Sequence, residues 1–319
     1  MKKNYNRILI EDTQGNTSYK GVYDPTREDV EITKKKPELT PKQKAFLREL
    51  NRKNGGVKEV FEHGLGGFIN MYYVKNSALY ENTNLKTVNI CRVLYLATYI
   101  DWNTGQENLL VKPGQFKIIH PMTKRDMQIL LGLTDKPFYE FLSNVKKNEI
   151  LYEVEGRFYM NPDYFNKGKN KNKCKDYTRL YINTIRNLYA QCSLRRHKQL
   201  SNLFKLIPKA HYLTNAIVYN PEEQDTSKLK YMTLIDICKF LGTGQTNNNA
   251  TKLKNDLMNF VVKDEDTISS AFKKITTEGA EFEGITSYYI INPKISYAGD
   301  DYEIASQILE ACFFKQHKI

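Results

Sequence analysis

The chain has 319 residues, 40% of them hydrophobic and 12% aromatic, which is enough for more than one buried core and excludes a disordered chain. Its 48 Lys and Arg outnumber its 36 Asp and Glu, and the net charge of +12 favours nucleic acid or another polyanion as partner. The 5 cysteines are scattered without a C-x-x-C pair, MKKNYNRILIEDTQG carries no signal-peptide core, and no apolar run reaches 18 residues, so a cytoplasmic protein without a membrane span is expected.

Residues 1–80 read as an N-terminal extension. ILIEDTQGNTSYKGVY predicts a hairpin that turns at Gly15-Asn16, and ITKKKPELT reads as a linker. A helix is expected from about Thr40 to Lys53, with Thr40 as cap and Pro41 in its first turn. VFEHGLGGFINMYYV predicts a strand. Its GLGG is no phosphate loop, because no Gly-Lys-Ser/Thr follows.

Residues 81–166 read as a first domain. VNICRVLYLATYI gives its first helix, and a turn follows at Asn103-Thr104-Gly105. From Met122 to Pro162 the pattern is helix, tight turn, helix, hairpin. Thr123 caps a helix with Met127, Leu130 and Leu131 on one face, and Gly132 supplies the turn. Pro137 suits the first turn of the next helix, which buries Phe138, Phe141, Leu142 and Val145. Lys136, Tyr139, Glu140, Ser143 and Asn144 are left outward. The hairpin runs from Ile150 to Met160, turns at Glu155-Gly156, and places Arg157 near its tip.

Residues 167–195 read as a basic loop and a linker helix. KGKNKNKCK alternates lysine with small or polar residues. Lys167, Lys169, Lys171 and Lys173 are candidate phosphate contacts there, against the alternative of a solvated linker. Leu180, Ile185, Leu188 and Cys192 predict one long helix that starts at Asp176 and joins two domains.

Residues 196–319 repeat the first domain. An offset of 110 carries Met122-Thr123 onto Met232-Thr233, Asp126 onto Asp236, and Leu131-Gly132 onto Leu241-Gly242. It also carries Ile90, Val93, Leu94 and Ala97 onto Leu200, Leu203, Phe204 and Ile207, so HKQLSNLFKLIPKAHYL gives the first helix, interrupted near Pro208. Thr246 caps a helix with Ala250, Leu253, Leu257 and Val261 inward. Asn247, Asn248, Asn249, Thr251, Lys252 and Asn255 face outward. Asn161-Pro162 recurs at Asn292-Pro293 with an offset of 131, so extra residues fall near VKDEDTISSAFKKITTEGAEFEG, as an added helix or an enlarged hairpin. The tail YEIASQILEACFFKQHKI predicts an amphipathic helix striped by Ile304, Ile308, Ala311 and Cys312, closing the second core rather than making a dimer surface.

The expected fold is α+β, mainly helical: two winged helix-turn-helix domains in tandem joined by a long basic helix. The outward residues of each second helix suit base readout. Asn pairs with adenine in a bidentate fashion, and Lys meets guanine or phosphate. The bland reading of Asn247-Asn248-Asn249 is a polar helix start. Chemistry finds no foothold. His63, His120, His197, His211 and His317 form no His-x-His, and GTGQT lacks the lysine of a phosphate loop. Asp264-Glu265-Asp266 reads as a charged turn. The 22 tyrosines read as core and hairpin residues, some able to stack on bases. No enzyme activity, cofactor or metal is expected.

RFYMNPDYFNKGK, at the end of the first domain, resembles the RepL family of plasmid replication proteins from Firmicutes, over roughly residues 85–170. The tandem layout of residues 80–319 is similar to initiators of theta-replicating plasmids and related phage proteins. The resemblance implies double-stranded DNA as partner, two domains that engage repeated origin sequences, and regulation by dimer-to-monomer change. The expected function is sequence-specific DNA binding as a plasmid or phage replication initiator in a bacterial host. A homodimer and host replication or transcription proteins are further candidate partners. A transcriptional regulator of a mobile element and a phage structural protein that binds other proteins are the alternatives.

Overall fold

The computed structural model describes residues 6–11, 17–24, 29–33, 57, 61, 64–82, 85–101, 108–112, 120–167, 177–263, 268–276 and 287–313. The chain divides into two units, 1–56 and 57–319. In the first, β1 (Asn6–Glu11), β2 (Thr17–Asp24) and β3 (Asp29–Thr33) form an antiparallel sheet in that order. The expected hairpin is β1 with β2, paired from Asn6↔Tyr23 to Ile10↔Tyr19. Its turn and the helix expected at Thr40–Lys53 lie outside the described residues. The stretch read as a linker opens on the end of β3.

The second unit is α+β, and its chain runs twice through one plan. The first pass is β4 (Phe68–Tyr72), α1 (Tyr73–Asn82), α2 (Thr87–Ala97), β5 (Val111–Lys112), β6 (His120–Pro121), α3 (Lys124–Leu131), α4 (Asp135–Lys147), β7 (Leu151–Val154), β8 (Arg157–Met160) and β9 (Phe165–Asn166). The second is β10 (Tyr177–Tyr181), α5 (Ile182–Ala190), α6 (His197–Lys205), α7 (Leu234–Leu241) and α8 (Asn247–Met258). It continues through β11 (Val261–Lys263), β12 (Ile268–Ser270), β13 (Phe272–Thr276), β14 (Ser287–Ile291) and β15 (Ser296–Tyr297). A final helix, α9 (Tyr302–Ile308), follows and continues as a wider turn through Leu309–Phe313.

The long linker helix expected from Asp176 is not there. Tyr177–Tyr181 is a strand, and α5 begins only at Ile182. Thr178, Leu180 and Tyr181 are buried together with Arg179, because β10 has neighbours on both sides in the sheet β15-β10-β4-β9. A strand buried on both faces shows no alternation, so its apolar residues read as helical spacing. For the same reason the second pass starts at β10, not at residue 196.

Two sets of contacts join the passes. β4 pairs with β10 antiparallel, from Phe68↔Tyr181 through Asn70↔Arg179 to Tyr72↔Tyr177. The outer pairs match too: Asn70↔Asn166 and Met71↔Phe165 on one side, Arg179↔Tyr297 and Leu180↔Ser296 on the other. Both edges are only two residues long, which limits their use for further pairing. Helices α2 and α6 pack on each other, and the Cys91 N–H donates to Ser201 Oγ at 3.0 Å. Ile90, Val93, Leu94, Leu200, Leu203 and Phe204 lie in one continuous core that both passes share.

Within each pass the same bonds recur. Leu110 N–H donates to Phe158 O and Ile217 N–H to Tyr289 O, both at 2.8 Å. Met160 N–H reaches Asn108 O at 3.0 Å, and Ile291 N–H reaches Asn215 O at 3.1 Å. Asn108 and Asn215 both take a left-handed φ, 61° and 54°, and each side-chain amide donates at 2.7 Å to the edge strand, at Phe165 O and Ser296 O. The Asn-Pro motif is structural as well. Asn161 Nδ2 donates to Glu149 O, and Asn292 Nδ2 to the equivalent Ser270 O, while Oδ1 of each accepts from the N–H two residues on.

The offset between equivalent residues locates the extra length. It is 110 at Thr123/Thr233, 112 at Thr134/Thr246, 121 at Ile150/Ala271 and 131 at Met160/Ile291. The additions are therefore a longer turn before α8, the hairpin β11–β12 inserted before β13, and a longer β13–β14 tip. No added helix lies among the described residues of this stretch. Val261 belongs to β11, not to the helix expected there, and it is half-buried.

The tail closes a smaller core, with a shifted stripe. Tyr302, Ala305, Leu309 and Phe313 are buried against Phe61, Leu65, Val218 and Tyr297. Ile304, Ile308 and Cys312 are half-buried, and Ala311 is exposed. The wider final turn rotates the face away from a regular 3.6-residue repeat.

Two tests follow from this packing. Thr123 and Thr233 make the same capping box, each accepting from the N–H three residues on while the Asp there accepts from the cap N–H. Thr123→Ala and Thr233→Ala should each cost about 1 kcal/mol in urea unfolding. His197 is buried in α6, and burial, with the Arg92 charge beside it, pushes its pKa down to about 4. The unfolded imidazole takes up its proton near pH 6.5. Its stabilising effect is therefore complete above that value and lost as pH falls towards 4, by up to about 1.4 kcal/mol per pH unit. Unfolding midpoints between pH 7 and pH 4.5 should show this slope, and His197→Gln should flatten it.

Candidate nucleic-acid interface

In each helix pair the first helix is closed by a left-handed glycine. Gly132 closes α3 at φ 64°, ψ 31°, and Gly242 closes α7 at φ 67°, ψ 28°. This left-handed geometry costs glycine little and other residues more. The second helix of each pair then leaves the turn with its apolar stripe inward: Phe138, Phe141, Leu142 and Val145 in α4, and Ala250, Leu253 and Leu257 in α8.

On α4, Lys136, Tyr139 and Ser143 are exposed, with Tyr139 at 59%. Asn144 is not an outward contact. Its Oδ1 accepts from the Lys86 N–H at 3.2 Å and from Asn89 Nδ2 at 2.9 Å, and so ties α4 to the start of α2. Helical spacing alone places Asn144 on the polar side but does not reveal the partner across the core edge. Glu140 is exposed and pairs with Lys86 at 3.3 Å.

On α8, Asn247, Asn248, Thr251 and Lys252 are exposed around the helix start. Thr246 serves as the cap, its Oγ1 accepting from the Asn249 N–H at 3.3 Å. The Asn249 amide lies over Gly244, where it leaves no room for a Cβ. The open face is therefore Asn248, Thr251, Lys252 and Asn255, of which Asn248 lies in the first turn. In α8 only the half-buried Asp256 carries a negative charge.

The hairpin β7–β8 turns through Glu155 and Gly156, both with positive φ, and presents Arg157 at its exposed tip. Tyr152 and Tyr159 stack across it at 5.3 Å. Its other face carries Glu153, which binds Lys146 at 2.6 Å and Lys124 at 3.3 Å. The bond from Lys146, with that from Lys124, holds this carboxyl below its usual range. The tip between β13 and β14 lies outside the described residues.

The basic segment divides. Lys169, Lys171 and Lys173 lie outside the described residues. Lys167 is half-buried, and burial, then the Arg186 charge, lowers its pKa, so it is not an open phosphate contact. Arg186 stands 4.0 Å over the Tyr99 ring and donates to Thr98 O at 2.8 Å. Arg179 is buried and reaches Gly299 O and Asp300. Lys209 pairs with Glu81 at 3.0 Å. Arg186 and Lys209 tie the second pass to the first, while Arg179 binds within the second. A charge count along the sequence cannot separate inward cations from outward ones.

Sequence reading missed Asn108 and Asn215. The signal was present as Asn-Leu-Leu-Val at 108–111 and Asn-Ala-Ile-Val at 215–218. Among the described residues no three His, Cys, Asp or Glu side chains gather to hold a metal ion. No helix there is long and apolar enough to cross a membrane.

Asn144→Ala should destabilise the fold by about 1–3 kcal/mol, since it leaves the buried Asn89 amide without this acceptor. Ser143→Ala, one residue away on the exposed face, should leave the unfolding midpoint unchanged. The chain matches no protein-family model, no curated protein and no solved structure.

Proposed function

We propose that the chain binds double-stranded DNA through two winged helix-turn-helix units, one in each pass, and has no catalytic activity of its own. The observation that carries this reading is the repeated construction of one motif. Two capped helix pairs with glycine turns each leave a polar second-helix face exposed and end in a hairpin. In such units the second helix enters the major groove and the hairpin lies along the backbone. Asn248, Thr251, Lys252 and Asn255 then read base edges from α8. Lys136, Tyr139 and Ser143 meet the duplex from α4, with Arg157 at the hairpin tip. Lys169, Lys171 and Lys173 add sequence-blind contacts to phosphate, which the +12 net charge favours.

The likeness of RFYMNPDYFNKGK to RepL proteins points this DNA binding towards initiation of plasmid or phage replication. A regulator of a mobile element would use the same surfaces. The arrangement of target sites separates the two roles: iterated copies at an origin for an initiator, a single operator at a promoter for a regulator.

The test is selection of bound duplexes from a random pool, followed by salt titration on the selected site. An enriched motif is expected. Asn248→Ala should weaken it by about 1–3 kcal/mol and leave random-sequence affinity unchanged. A Lys169/Lys171/Lys173 triple alanine variant should weaken all duplexes alike. It should also lower the slope of log K against log salt by about 1 for each lysine that meets a phosphate. A pool that shows no enrichment sinks the reading.

A further inference from the structure

The hairpins β7–β8 and β13–β14 are built in the same register. Tyr152 faces Tyr159 and Val154 faces Arg157 in the first, as Lys273 faces Ile290 and Ile275 faces Tyr288 in the second. Directly paired residues share one face of a sheet. Tyr152, Val154, Arg157 and Tyr159 therefore form the outer face of the first hairpin. The inner faces belong to the core: Leu151, Phe158 and Met160 are buried in one, Phe272, Tyr289 and Ile291 in the other.

What covers the outer face differs between the passes. In the second it is the chain's own tail. Tyr302, Ala305, Leu309 and Phe313 lie in one apolar cluster with Ile275, Tyr288 and Ile290, and Lys273 Nζ donates to the Cys312 carbonyl. Cys312 is close enough to the Tyr288 hydroxyl to act on it electrostatically. In the first pass the chain continues from β9 into KGKNKNKCK, where only Cys174 is apolar, so its own continuation supplies no such stripe. There Val154 is 49% exposed and Tyr152 40%.

The second pass thus shows the shape that fits the first: a helix with apolar residues at the spacing of Tyr302, Ala305, Leu309 and Phe313. A second copy of the chain is poorly placed to lend its tail. Those four residues are already buried in its own fold, and releasing them would open that core. Charge points to a different protein as well. Where the second hairpin has Tyr288, the first has the exposed Arg157. A carboxylate at the helix position of Cys312 would meet this guanidinium. Tyr152 stands where Lys273 does, and its hydroxyl is again a donor for a carbonyl at the helix end.

We propose that the outer face of the first hairpin docks an amphipathic helix of another protein, apolar at the Tyr302, Ala305, Leu309 and Phe313 positions and acidic at the Cys312 position. This does not rest on the duplex-binding reading. Arg157 is also the residue offered to a duplex at the hairpin tip, so a docked helix and a duplex compete for it.

The test titrates the full chain with two fluorescent peptides of residues 300–313, one carrying Cys312→Glu and the other Cys312→Lys, read by anisotropy. The Cys312→Glu peptide should bind about 5- to 10-fold more tightly than the Cys312→Lys peptide. In the chain, Val154→Asp lies at an exposed position and should leave the unfolding midpoint unchanged while weakening both peptides about 10-fold. Arg157→Glu should reverse the preference between them. No saturable binding of either peptide, or binding that Val154→Asp and Arg157→Glu leave unchanged, overturns the proposal. Self-association of the chain alone that Val154→Asp abolishes overturns the choice of partner, since a second copy then covers the face. Each of these failures leaves duplex binding standing, because the random-pool selection reads it separately.

Discussion

The pairing of β4 with β10 is the constraint on which the second unit depends. It sets one pass of the chain against the other with five residues in register and Asn70 opposite Arg179. It also places the two-residue edge strands β9 and β15 on opposite flanks, so each pass is stitched to the sheet by the end of its own hairpin. α2 and α6 then meet beneath, and the core that forms there belongs to neither pass alone. Arg186 and Tyr189 of the second pass pack onto Thr98, Tyr99 and Tyr95 of the first. A separation into two freely linked domains would leave these faces open to water.

Much of the motif was legible because it depends on local chemistry. Thr-x-x-Asp at a helix start, glycine at its end and an apolar stripe at 3.6-residue spacing are all written within about twenty positions. They predicted α3, α4, α7 and α8, with the inward residues of α4 and, apart from Val261, of α8. The Asn-Pro signature was visible too, although its meaning was not. It is a structural clasp in which Asn161 and Asn292 each bind the carbonyl just ahead of the hairpin.

The central sheet was not legible. β10 is buried along both faces, so the alternation that marks a strand is missing, and Leu180 falls into helical spacing with Ile185 and Leu188 of α5. The basic segment misled for a related reason. Lys and Arg in sequence look alike whether they face water or an aromatic ring. Arg179 and Arg186 are satisfied inside the fold by carbonyls, a carboxylate and tyrosine faces. Asn144 shows the same limit at one residue: periodicity gave its side of the helix, but not Asn89 waiting there.

The two passes share a frame and differ in what covers it. In the second, the segment from Tyr302 to Phe313 lies with Ile275, Tyr288 and Ile290 of β13 and β14 in one apolar cluster, and Lys273 binds the Cys312 carbonyl. The equivalent positions in the first pass are Val154, Arg157 and Tyr159, and Val154 is 49% exposed. The closed hairpin belongs to the pass whose helix α8 carries the polar reading face. The open hairpin belongs to the pass whose helix α4 carries a tyrosine and a paired glutamate. Once both copies lie in one chain, each position can change without changing its twin. Residues where the passes meet are the exception, because there each copy is the other's neighbour. Cys91 and Ser201 still bond to each other there, while the hairpins and helix faces away from that contact have diverged.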